Sequence, residues 1–180
     1  MTARPLSRWL LNPHLLHRSI ADIDQDALYA AGIRGILMDL DDTLCPRGSG
    51  ETPPAIRAWL QQAAARFQLF IVSNNMSLVR VQEVSGNLCI PAIHRAQKPR
   101  RGGVRHAMAR LGLDPHEVVL IGDRLLTDVL ASRRAGIMSI LVEPFEPEHR
   151  WLPRSVRLLE ANLLRLVGGQ IAWKPQEPRA

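Results

Sequence analysis

The chain is poor in several things that would each have pointed to a class of protein. Its two cysteines, Cys45 and Cys89, lie far apart, with no third or fourth thiol to suggest a zinc site or a disulfide framework. Both are expected as reduced thiols. Aromatic residues make up only 4% of the chain, and no interleaved stacking platform or nucleic-acid motif is present. Nucleic acid is therefore not an expected partner. No uninterrupted apolar run approaches the ~20 residues needed to span a bilayer. Near the start, Pro13, His14 and His17 interrupt what would have to be the apolar core of a signal peptide. The expected compartment is the cytoplasm. Lysine is almost missing: Lys98 and Lys174 are the only two, and arginine carries nearly all of the positive charge.

What is present fits one domain with a sizeable core, since 180 residues leave no room for two. The formal charge of +6 favours anionic partners, whether phosphates, acidic lipids or nucleic acid, without choosing among them. The most informative stretch is Gly35-Ile36-Leu37-Met38-Asp39-Leu40-Asp41-Asp42-Thr43-Leu44, an apolar run that stops at three acids and a threonine. As a buried strand, it sends Asp39 and Asp41 to one side and Leu40 to the other, into a core. Two like charges so placed repel unless a cation or a shared proton relieves them. The plainer reading is an acidic turn capping a helix.

The same pattern of apolar strand and polar tip recurs. Pro53 and Pro54 open an amphipathic helix through Phe67, with Ile56, Trp59, Leu60, Ala63 and Ala64 at helical spacing. Leu69 to Val72 then reads as a second strand ending in Ser73-Asn74-Asn75. A helix from Ser77 to Val84 ends near Gly86, and Cys89 to Ile93 is a weaker apolar segment before Gln97-Lys98-Pro99. A helix from Gly102 or Gly103 to Leu111 leads to a strand over Val118–Ile121 with the tip Gly122-Asp123-Arg124. Leu126 to Ala135 reads as helix with Gly136 as its cap, and Met138 to Val142 as a fifth strand. This alternation implies an α/β fold, a parallel sheet covered on both faces. Ligands of such sheets sit at the carboxyl ends of the strands, where chain order reverses. Asp39, Asp41, Ser73, Lys98 and Asp123 all fall at or just beyond such ends.

Those residues suit phosphate chemistry. Carboxylates at Asp39, Asp41, Asp123 and Asp128 offer the oxygen donors that magnesium prefers. One carboxylate can attack phosphorus while a neighbour carries a proton, with Ser73 and Lys98 holding the phosphoryl oxygens. Taken singly, Ser73 is equally a turn residue, Lys98 a solvated charge and Asp128 a helix-surface acid.

Taken in order, Asp39-Leu40-Asp41-Asp42-Thr43, Ser73, Lys98 and Gly122-Asp123 with Asp128 resemble the four motifs of the haloacid dehalogenase (HAD) phosphatase superfamily. The resemblance implies a three-layer Rossmann-like sandwich around a central parallel sheet. It makes Asp39 the nucleophile and Asp41 the general acid and base. Asp39, the backbone carbonyl of Asp41 and Asp123 would bind magnesium, with Asp128 assisting or orienting Lys98. Thr43 would support the loop, and Ser73 with the Asn74 backbone would bind phosphate. The spacing between motifs leaves no room for a cap domain.

Ser19 to Ile23, Leu28, Gly32 to Ile36, Val72 to Asn75, Arg95 to Pro99 and Ile121 to Val129 narrow the resemblance to the YqeG family of subclass IIIA phosphatases, over Leu10 to Val167. Two features depart from it: Asp42, where many members carry Asn, and Cys45-Pro46-Arg47 in the flap, where an aromatic is more familiar. Relatives in yeast mitochondria and in plastids are phosphatidylglycerophosphate phosphatases, so the resemblance implies that lipid as substrate. A soluble phosphate ester is the alternative, and a non-catalytic binding module a more distant one.

The division expected is a basic amphipathic segment over 1–20, a phosphatase core over 21–145, and an amphipathic helix and tail over 146–180. Leu6, Trp9, Leu10, Leu15 and Leu16 lie among arginines and histidines at one end, and Leu158, Leu159, Leu163 and Leu164 among arginines at the other. Such ends suit peripheral contact with an anionic membrane, or packing onto the domain itself.

Overall fold

The computed structural model describes residues 11–145. The amphipathic readings for 1–10 and 146–180 lie outside the described residues. Six strands form one sheet in the order β1-β6-β5-β2-β3-β4, and every neighbouring pair is parallel. In chain order the elements are β1 (Leu15–His17), α1 (Gln25–Ala30), β2 (Gly35–Met38), α2 (Pro54–Ala64), β3 (Gln68–Val72) and α3 (Leu78–Leu88). They continue with β4 (Ala92–Ile93), α4 (Gly102–Leu111), β5 (Val118–Gly122), α5 (Leu130–Ala135) and β6 (Met138–Val142).

The central strands are buried on both faces, as their unbroken apolar sequences require. Alternation then divides the core in two. Ile36, Met38, Ile71, Val119 and Ile121 face one side with Trp59 and Leu60 of α2, Val81 and Val84 of α3 and Leu28 of α1. Leu37, Phe70, Val72, Val118 and Leu120 face the other, with Val104, Ala107 and Met108 of α4 and Ala131 and Ala135 of α5. The result is the expected three-layer α/β sandwich with no cap domain among the described residues. After β2 the chain steps to β3 and β4 on one side and returns as β5 and β6 on the other. The order reverses beside β2, so the crevice opens where Asp39 and Asp41 emerge.

Four local readings change. Leu15–His17, part of the 1–20 segment, pairs as an edge strand with Ile140–Val142 of β6, and His14 reinforces it by donating its N–H to the Ser139 carbonyl at 3.0 Å. Three residues with Leu15 and Leu16 substantially exposed carry too little alternation to be read as a strand. Helix α3 runs through Gly86 to Leu88 and is closed by Cys89 in the left-handed conformation (φ 54°). The final weak apolar segment contributes only two strand residues, Ala92 and Ile93. Leu125–Val129 forms a widened π turn before α5, so the helix expected over Leu126–Ala135 is two pieces.

Leu40 is fully buried in the same cluster as Ile36 and Met38, and so pins the site loop to the core. Leu40→Ala is expected to cost about 2–5 kcal/mol in urea denaturation, the range for an aliphatic truncation that leaves a cavity.

Candidate active site

The tips of β2, β3 and β5 converge on one acidic pocket. Beyond β2, Asp39 extends the ladder by donating its N–H to the Ile121 carbonyl at 2.9 Å. The chain then turns tightly, with Leu44 N–H bonded to the Leu40 carbonyl and Asp42 N–H to that of Cys45. Asp42 sits at φ 62°, a left-handed position that Asp tolerates better than most residues. Its carboxylate accepts from Arg47 N (3.2 Å) and Arg47 Nε (3.1 Å). The two departures from the family resemblance, Asp42 and the Arg47 flap, are thus partners in one ion pair.

At the β3 tip, Ser73 is buried and its Oγ accepts the Asn75 N–H at 3.0 Å. The Asn74 side chain brackets the Lys98 backbone, accepting from Lys98 N at 2.7 Å and donating to Lys98 O at 2.8 Å. This is how a lysine 24 residues further along is set opposite the β2 tip. Lys98 is only 4% exposed. Its Nζ lies 2.8 Å from Asp39 Oδ1 and 2.6 Å from Asp128 Oδ1. An ammonium has three donors, so two carboxylates leave one for a further oxygen.

At the β5 tip, Asp128 Oδ2 accepts from the Arg124 N–H (3.2 Å) and from Thr127 Oγ1 (3.1 Å). Gly122 makes room for it: a Cβ there would fall 2.3 Å from Asp128 Cγ. Thr43 Oγ1 donates to Asp123 Oδ1 at 3.4 Å, tying the first loop to the third. Asp39, Asp123 and Asp128 each present an oxygen within 4.8 Å of the others.

Three carboxylates face one ammonium in a buried space, and the electrostatics show the excess. Burial pushes Asp39 up to about 6, with Asp128 adding to the rise and Lys98 opposing it. Burial, then Asp128, Asp39 and Asp42, hold Asp123 well above the usual carboxylate range. For Lys98, burial alone would lower the value, but Asp128 and Asp39 more than offset it and the net direction is upward. A hard divalent cation with oxygen ligands fits this donor set and removes the repulsion.

The structure brings Asp39, Thr43, Lys98, Asp123 and Asp128 together, while Ser73 stands buried at the β3 tip with its Oγ engaged by the Asn75 N–H. Asp41 is present but differently engaged. Its carboxylate is outside the acidic cluster, accepting from Asn75 Nδ2 at 2.7 Å and from Arg80 Nη2 at 2.7 Å. The backbone carbonyl alone remains for the metal role implied by the resemblance. Asn74 acts through its side chain on Lys98 as well as standing at the β3 tip. Arg80 and Asn75 went unassigned in the sequence. Arg80 lies on an amphipathic helix where an arginine usually signals only a solvated face.

Gly122→Ala is expected to displace Asp128 and to cost about 1–3 kcal/mol, as overpacking at a rigid site does, read from urea denaturation. Magnesium at about 100 times its Kd should stabilise the native chain by about 2.7 kcal/mol. Calorimetric unfolding should show most of that gain lost in Asp123→Asn.

Comparison with known proteins gives the family. The model described as mitochondrial PGP phosphatase matches residues 6–144. The chain is 32% identical over 160 residues to "Probable phosphatase YqeG" of Bacillus subtilis (strain 168), covering 87% of this chain and 92% of that protein. It is 27% identical over 169 residues to "Phosphatidylglycerophosphate phosphatase 1, chloroplastic/mitochondrial" of Arabidopsis thaliana, where 88% of this chain spans 48% of the relative. Among solved structures, an uncharacterized protein from Listeria monocytogenes serotype 4b superposes with TM-score 0.54 at 17% identity, over 76% of this chain and 99% of that one. A predicted HAD-like family hydrolase from Porphyromonas gingivalis gives TM-score 0.52 at 16% identity, over 71% and 98%. At such identities the two structures speak for the fold alone. A family match from residue 6 to residue 144 takes in all three strand tips, and the chain belongs to the PGP phosphatase family of HAD-type phosphatases.

Proposed function

We propose that the protein is a magnesium-dependent phosphomonoesterase that converts phosphatidylglycerophosphate to phosphatidylglycerol through an aspartyl-phosphate on Asp39. The observation that carries the reading is Lys98, buried at the pocket floor with its ammonium 2.8 Å from Asp39 Oδ1 and 2.6 Å from Asp128 Oδ1. A cation so placed screens the nucleophile from the phosphate it must approach.

An Asp39 oxygen attacks phosphorus as the bond to the glycerol oxygen breaks. Asp41 gives its proton to the departing alkoxide. In the second half, Asp41 takes a proton from water as that water attacks the acylphosphate, releasing inorganic phosphate and restoring Asp39. Lys98 and Ser73, with the Asn74 backbone, hold the phosphoryl oxygens, and Asp128 keeps Lys98 in place. Asp39, the Asp41 carbonyl and Asp123 would hold magnesium, which would supply charge neutralisation at those oxygens.

The lipid substrate is supported by what surrounds the pocket. Without a cap the mouth is open. Directly after Asn75, Met76, Leu78 and Val79 are 66%, 45% and 75% exposed, an apolar tip beside the site. Arg95, whose N–H bonds the Asn75 carbonyl at 3.1 Å, is exposed, and so are Arg100 and Arg101 on the Lys98 loop. Exposed apolar side chains together with exposed arginines on neighbouring loops suit an anionic bilayer surface. No helix among the described residues is long and apolar enough to cross a membrane. Peripheral contact from the cytoplasm is the corresponding localisation.

Asp39→Asn should lower phosphate release in magnesium by about 10³-fold or more, as loss of a nucleophile does. Unchanged release would refute the nucleophile. Turnover of phosphatidylglycerophosphate should exceed that of a panel of sugar phosphates, nucleotides and phosphopeptides. A clear preference for one of those would remove the lipid while leaving the phosphatase.

A further inference from the structure

Arg80 bridges several segments beside the site, and none of the hydrogen bonds by which it does so is to the acidic cluster. Its Nε and Nη2 both reach Asp41 Oδ1, at 3.1 and 2.7 Å. On its other edge, Nη1 donates to the Ser49 carbonyl at 2.6 Å and Nη2 to the Pro46 carbonyl at 3.3 Å. The Cys45 Sγ is 3.6 Å from Nη2. The side chain is only 16% exposed. A single guanidinium thus joins helix α3, the flap over Cys45–Ser49 and Asp41.

The planar fork suits this task. Five N–H donors in fixed directions can satisfy a carboxylate and two carbonyls at once, which the single ammonium of lysine cannot do in the same geometry. Asn75 Nδ2 holds the other Asp41 oxygen at 2.7 Å. Asp41 is thereby fixed at both oxygens by the segment following β3. Its orientation is set by α3 and Asn75, and the flap is tied to the same point.

We propose that Arg80 is the positioning residue for the proton carrier of this enzyme, a latch that aims Asp41 and holds the flap closed over it. The inference rests on the proposed role of Asp41. Misaiming the proton carrier penalises ester cleavage according to how much the leaving oxygen needs a proton. Glycerol oxygen needs one, whereas 4-nitrophenolate leaves as a stable anion. The quantity kcat/KM isolates this step, because it ends with transfer of phosphoryl to Asp39.

The test compares the native chain with Arg80→Met and Arg80→Lys, using phosphatidylglycerophosphate in detergent micelles and 4-nitrophenyl phosphate. For Arg80→Met, kcat/KM should fall about 10²-fold more on the lipid than on the aryl ester, the low end of what proton transfer contributes. Arg80→Lys should recover less than about a third of that selective loss, because charge without the fork does not aim the carboxylate. A second readout needs no turnover. Cys45 is buried beneath the latch and Cys89 is exposed, so N-ethylmaleimide labelling measured by mass spectrometry carries its own reference. Releasing the flap should raise Cys45 labelling about 10-fold relative to Cys89 through more frequent local opening. Equal losses on both esters, or full rescue by lysine, would overturn the positioning role. Unchanged Cys45 labelling in both variants would overturn the latch. Inactivity of the native chain toward both esters would instead overturn the reading of Asp39 and Asp41, with the labelling ratio still reporting on the flap.

Discussion

A buried ammonium between two buried carboxylates organises the site, and much of the neighbouring structure exists to make that arrangement tolerable. Taking Lys98, Asp39 and Asp128 out of water carries a desolvation cost that Coulomb attraction offsets only when geometry is tight and the leftover polar groups are satisfied. The ion pairs are short, and the neighbouring loops supply partners for the outer groups, leaving one Lys98 donor for a further oxygen. Asn74 grips the Lys98 backbone from both sides. Arg124 N–H and Thr127 Oγ1 satisfy the outer oxygen of Asp128. Gly122 leaves the space that Asp128 occupies. Each of these residues lies on a different loop from the charge it serves or beside it at a turn, so the triad holds the three strand tips in register.

The triad stays one cation short. Asp123 joins the same cluster and is raised well above the usual range, chiefly by its burial and then by Asp128 and Asp39. This shortage is useful. A pocket already neutral would have little attraction for a divalent ion, and a pocket with no lysine would repel the phosphate. One lysine against three aspartates suits both an added cation and an anionic substrate.

A second, separate assembly surrounds Asp41. Arg80 and Asn75 hold its carboxylate, and Arg80 reaches on to the flap. The two carboxylates of the Asp39-Leu40-Asp41 motif therefore answer to different partners: one to the triad, the other to α3. Leu40, buried between them in the chain, anchors the turn that separates their environments. Met76, Leu78 and Val79 are exposed on the segment that follows Asn75, which places this assembly at the border between the site and its surroundings.

The sequence was most readable where one strand delivers its own chemistry. Asp39, Ser73 and Asp123 each follow an apolar run, so alternation and strand ends located them, and Lys98 stood out because lysine is so scarce. The parallel sheet and its two helical layers followed from the same periodicity. Short elements were hidden: β1 is three residues with half-exposed leucines, and the π turn at Leu125–Val129 keeps a helical composition. The partners of each charge were hidden too. Nothing local distinguishes Arg80 from the other arginines of this basic chain, or links Arg47 to Asp42 and Asn74 to the backbone of Lys98. By itself, then, the sequence determined which residues stand at the strand tips and what chemistry their types allow, since both are properties of neighbouring positions. Only the tertiary structure decided which charge meets which, because pairing depends on distances across loops that strand order and helix packing set.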